Sequence, residues 1–91
     1  MPRLVLTRKI NEAVKVGDHL ITVTRVGRGN ANLMTAKPRA VHSCAIGDIV
    51  ILEPGVTVTL KAISGGVARL VFEAPREINI ARLELLNGDP S

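Results

Sequence analysis

The chain has no tryptophan and no tyrosine, and Phe72 is its only aromatic residue. That removes the aromatic platform on which an RRM or a typical single-strand-binding OB surface stacks its bases. A single cysteine, Cys44, leaves no internal disulfide to form, so a reducing cytoplasm is the expected compartment. No apolar run nears the roughly 18 residues that a membrane-spanning helix needs. The apolar stretch in "MPRLVLTRK" is too short for a signal peptide, and no membrane partner is expected. CxxC, HExxH, GxSxG and phosphate-loop glycine patterns are all missing, which argues against the enzyme classes they mark. The carboxylates are scattered and mostly flank turns, with no pair set for acid–base work. His42 and Cys44 stand two apart and would share a strand face, but two ligands without a third are more simply ordinary strand residues than a metal site. The expectation is a protein that is not an enzyme and holds no metal or cofactor.

What the chain has is aliphatic. Forty-six per cent of its 91 residues are hydrophobic, mean hydropathy is +0.27, and the apolar content is Val, Leu, Ile and Ala. That composition suits short strands packed into a small sandwich or barrel. Ninety-one residues make one domain, residues 1–91, or one protomer of a small oligomer, since so short a chain hides only a modest share of its apolar surface. Twelve Lys and Arg against eight Asp and Glu give a net charge of +4. The balance points to a polyanion or an acidic surface as partner, or to charge that only keeps the protein soluble.

Turn signals recur at Gly17-Asp18, Gly27–Asn30, Lys37-Pro38, Gly47-Asp48, Glu53–Gly55, Ser64–Gly66 and Ala74-Pro75. Between them lie Val/Ile/Leu/Thr runs that predict strands over 4–8, 13–16, 20–26, 32–36, 40–42, 49–52, 56–63, 67–73 and 77–80. One segment, "ARLELL" (81–86), reads as a short helix ending at Asn87-Gly88. The fold class is therefore all-β with a short C-terminal helix. A shift of 37 residues superimposes Pro38-Arg39 on Pro75-Arg76, Thr22 on Thr59, Gly29 on Gly66 and Leu33 on Leu70. Duplication or common strand-turn grammar could each produce this.

Arginines mark both ends of the chain: Arg3 and Arg8 in the first strand, Arg76 and Arg82 flanking the last. Guanidinium forks suit phosphates and guanine edges, although charges of this kind also protect sheet edges from aggregation. "LVLTRKINEAVKVGD" (4–18) and "VTVTLKAISGGVARLVFEAPREINIARLEL" (56–85) resemble the CsrA/RsmA carbon storage regulators, in order and in internal spacing. The resemblance implies a small interlocked homodimer that binds GGA in single-stranded or hairpin-loop sites of mRNA leaders, with regulatory small RNAs as further partners, to control translation or message stability. DNA is not an expected partner. It further implies RNA-binding roles for Leu6, Thr7, Arg8 and Lys9 of one protomer and for Ala74, Pro75, Arg76, Glu77, Ile80 and Arg82 of the other. Arg82 matches the arginine most important for binding.

The chain departs from the family pattern by an inserted β segment, residues 18–55, of which the 37 intervening residues His19 to Gly55 equal the repeat offset in length. The offset sets Ala45 against Arg82, so a duplicated unit would carry no second arginine site. Ala81 stands where the family commonly has histidine, and the glycine turn lacks the usual asparagine. An alternative reading is a protein-interaction module or antagonist on a CsrA-like scaffold, acting through the insert or through mixed dimers.

Overall fold

The computed structural model describes residues 3–36 and 39–83, with Arg82 and Leu83 described by their backbone alone. Among the described residues nine strands follow one another: β1 (Arg3–Arg8), β2 (Ala13–Val16), β3 (His19–Val26), β4 (Asn30–Ala36), β5 (Arg39–Ala45), β6 (Ile49–Glu53), β7 (Val56–Ser64), β8 (Val67–Glu73) and β9 (Ile80–Leu83). They form two antiparallel sheets, ordered β1-β8-β7-β6 and β5-β4-β3-β2-β9. No helix among the described residues is long and apolar enough to cross a membrane.

Alternation explains which faces meet. Val56, Val58 and Leu60 on β7, Leu70 and Phe72 on β8, Val14 and Val16 on β2, Ile21 and Val23 on β3, and Ala31 and Leu33 on β4 all point inward. They join one buried cluster drawn from both sheets. A period of two is what puts every second residue on one face, and branched aliphatic side chains fill that face without aromatic bulk. Phe72, fully buried, is the largest side chain in the cluster.

The helix expected over 81–86 is not formed where the chain is described. Ala81–Leu83 belong to β9, which pairs with β2 from Val16↔Ile80 to Ala13↔Leu83. A segment of barely two helical turns has little stability of its own, whereas the open edge of β2 offers a ladder of backbone partners. Residues 84–86 and the Asn87-Gly88 terminator lie outside the described residues, as does the Lys37-Pro38 turn. The strand expected over 77–80 begins three residues later. Arg76 and Glu77 sit in a turn closed by the Ile78 N–H on the Pro75 carbonyl at 3.0 Å.

The segment 18–55 is no separate lobe: it supplies β3, β4 and β5 to one sheet and β6 to the other. Strands β1–β4 correspond to β5–β8 in order, and the first sheet, β1-β8-β7-β6, maps onto β5-β4-β3-β2. The correspondence reaches single residues. The bulge between Val23 and Arg25 in β3 recurs between Leu60 and Ala62 in β7. Glu12 Oε1 accepts the Lys9 N–H, and Asp48 Oδ2 accepts the Ala45 N–H, both at 2.9 Å. Asn11 N–H donates to Val23 O and Gly47 N–H to Leu60 O, both at 2.7 Å. These two turn residues have positive φ, 74° at Asn11 and 99° at Gly47. The β3/β7 and β4/β8 matches keep the offset of 37, while Glu12 and Asp48 are 36 apart. The extra residue, Leu52, sits where the register of β6 shifts between Ile51 and Glu53.

Candidate nucleic-acid interface

The β1 alternation turns Leu6 and Arg8 inward and leaves Thr7 exposed. Arg8 is only 4% exposed, so its charge needs partners in place of water. Its Nε donates to the Thr7 carbonyl at 2.7 Å and lies 3.7 Å from Glu12 Oε1, and its Nη1 donates to the Ala13 carbonyl at 3.4 Å. The same Glu12 carboxylate holds the Lys9 N–H, so one acid caps the turn and partners the buried arginine. The guanidinium thus ties the end of β1, in one sheet, to the start of β2, in the other.

That tie sets the end of β1 beside the part of β2 that pairs with the end of β9. Ala13, whose carbonyl accepts from Arg8, is the register partner of Leu83, and its neighbour Val14 is the partner of Arg82. The turn over 9–12 reverses the chain between β1 and β2, and β9 is antiparallel to β2, so β9 runs in the same sense as β1. Thr7, Arg8 and Lys9 therefore lie at one end of this border with the Arg82 backbone. Ala74–Glu77 lie at its other end, beyond Glu73, the partner of Arg3.

At that other end Ala74 is buried, Pro75 half-buried, and Arg76 and Glu77 exposed. Gly17 adopts φ 59° and donates to the Asn79 carbonyl at 2.9 Å. A Cβ there would come within 3.3 Å of Ile78 Cγ2, so the glycine suits both the backbone conformation and the close approach of the 74–79 turn. Ile80, half-buried, follows opposite Val16. A cleft of about 400 Å³ opens here, lined by Lys15, Asp18, Glu77, Asn79 and Ala81 among others. A second, of about 300 Å³, lies beside Thr7 and Arg69.

Arg69 and Lys15 were not among the site residues expected from sequence. Both are exposed; Arg69 is the cross-strand partner of Thr7, and Lys15 is the partner of Ala81. Alternation within "VARLVFE" and "AVKV" could have put them on the outer faces, but only the register shows that they stand beside the candidate strands. Leu6, Arg8 and Ala74 are buried, so their part at this surface is to shape it. Among the described residues, the polar groups presented to solvent here include Thr7, Lys9, Lys15, Asp18, Arg69, Arg76, Glu77 and Asn79.

In the other half, the residue matching Arg8 is Cys44, and it is also buried. Burial, and secondarily the charge of Asp48, raise its thiol above the ordinary value of 9.0, so it stays protonated at neutral pH. His42 lies on the same strand face, as the spacing leads one to expect, and is half-buried, its carbonyl 3.8 Å from Cys44 Sγ.

Fold and site together define an all-β protein of two antiparallel sheets in which β1–β4 and β5–β8 correspond in order. The candidate residues lie on and just after β1, in the 74–77 turn and on β9, with Arg8 joined to the start of β2 and β9 paired along β2. No family model, curated protein or solved structure matches the chain.

Proposed function

We propose that this chain is a post-transcriptional regulator of the CsrA type, a cytoplasmic protein that reads GGA in single-stranded or hairpin-loop sites of mRNA leaders or small RNAs. One observation carries the reading: the buried Arg8 joins the end of β1 to Ala13, one residue from the register partner of Arg82. The two segments that resemble the family thus border the same edge. In the family those strands come from two protomers; here the repeat lets one chain supply both. Unstacked loop bases expose edges to arginines and strand-edge backbone groups, so the want of aromatic platforms does not bar recognition.

A gel-shift titration of a GGA-loop hairpin against a CCA control tests this. Arg82→Ala should weaken GGA binding by about 5- to 150-fold, the equivalent of ~1–3 kcal/mol for a base-reading arginine, while leaving far-UV circular dichroism unchanged. Equal affinity for both hairpins would end the proposal. The second reading, a protein-interaction module, draws on a different observation: Val41, Ile46, Ile49 and Ile51, all within the repeat-length segment, are exposed. It expects no GGA preference and co-purification with another chain.

A further inference from the structure

The repeat relates the two outer edges of the sheets that carry β2 and β6. In the second sheet β2 is covered by β9; in the first, β6 has β7 on one side and no strand on the other among the described residues. The covered strand has Ala13, buried, and Lys15, exposed, at alternating positions. At the corresponding places β6 carries Ile49, 61% exposed, and Ile51, 70% exposed. Strands left open to water usually carry lysine or other charge that deters pairing. At these matched positions the exposed lysine is on the covered strand and the exposed isoleucines are on the open one.

We propose that the β6 edge is the contact with a second copy of this chain, β6 pairing antiparallel with β6 across a twofold axis. The edge is self-complementary. Ile49–Ile51 is the regular stretch of β6, ended by the shift at Leu52. Antiparallel pairing centred on Val50 sets Ile49 of each copy against Ile51 of the other, with four isoleucines on one outer face. The flanking acids fall outside the paired stretch, Asp48 opposite Leu52, so like charges do not meet. Both acids already have partners within the chain: Asp48 accepts the Ala45 N–H at 2.9 Å, and Glu53 Oε1 is 2.7 Å from His19 Nε2. An isologous edge contact of this kind closes on itself after two copies and joins the four strands of each first sheet into one continuous sheet. It uses the edge of that sheet opposite β1, so it stands independently of the RNA reading.

Sedimentation equilibrium over a concentration series tests this, with Ile49→Lys and Ile51→Lys beside the unaltered chain. Lysine is tolerated at the second position by the fold itself, since Lys15 occupies it in β2. The expected result is a mass rising from the 9.7 kDa of one chain towards twice that, with both lysine variants remaining single at every concentration and keeping the parent circular dichroism. Hydrogen exchange of the unaltered chain supplies the second readout: amides within 49–51 should slow as concentration rises. A chain that stays single throughout, a dimer that survives both substitutions, or exchange at 49–51 indifferent to concentration overturns the proposal. So does finding the edge filled by an unlike protein while the chain alone stays monomeric.

Discussion

Replacing Gly47 with alanine probes whether the two halves use the same turn. Gly47 has φ 99°, and an added Cβ would meet no atom within 4 Å. Any cost is therefore conformational, with no steric share from neighbours. Holding an L-residue with a left-handed backbone costs about 1–2 kcal/mol. Against this, alanine narrows the unfolded ensemble by about 0.4–1 kcal/mol relative to glycine. The net loss should be near 1 kcal/mol, which in a chain of this size lowers the thermal midpoint by roughly 4–8 °C. Asn11, at φ 74°, is the matching residue. Asparagine tolerates that region better than alanine does, so Asn11→Ala should cost a similar amount and Asn11→Gly close to nothing. Urea titration is the assay, read as a shift in midpoint at constant slope. If Gly47→Ala leaves the midpoint unmoved, or if Asn11→Ala alone is costly, the turns are not equivalent.

Two further expectations follow from the core. Leu33 and Leu70 are equivalent, both essentially sealed from solvent, so Leu33→Ala and Leu70→Ala should each cost about 2–5 kcal/mol; comparable shifts in urea midpoint would support the correspondence, and a several-fold disparity would oppose it. Cys44 has its folded pKa raised above 9.0 by burial first and Asp48 second. The stability from its neutral thiol is present in full below that value and declines as pH climbs through the folded pKa. Between pH 8 and pH 10 the parent should thus lose more stability than Cys44→Ala, and a thiol reagent at pH 8 should label it only after unfolding. Equal losses in both proteins would refute the assignment.

Much of the fold could be read from residue order. The runs at 13–16 and 67–73 coincide with β2 and β8, and most other strands differ by a residue or two at their ends. The exceptions are physical. "ARLELL" carries both helical spacing and residues able to alternate, and what decides its first three in favour of strand is β2, far off in sequence. Pairing itself was out of reach: nothing in Arg3–Arg8 says that it lies against Glu73–Ala68. The repeat was half visible through Thr22/Thr59 and Leu33/Leu70. Its better evidence lies in backbone hydrogen bonds and bulges, which many side chains permit, and the additional Leu52 breaks the constant shift. At the site, Thr7, Lys9 and Arg76 could be picked out as exposed charge or hydroxyl. The burial of Arg8 could not, because it depends on Glu12 and Ala13 closing around it.

The pairing of β1 with β8 also sets when the protein can exist. Arg3 waits for Glu73, and Arg8 for Ala68, so β1, made before β2–β9, is among the last of these strands to find its neighbour. During synthesis a chain cut short before β8 would hold β1 as an unpaired edge, and the first sheet could not close. Closing so long a loop is slow compared with forming the β3–β4 or β7–β8 hairpins. The chain should therefore complete its fold only after most of it has left the ribosome, with the β1–β2 border, where the candidate interface lies, assembling at the end.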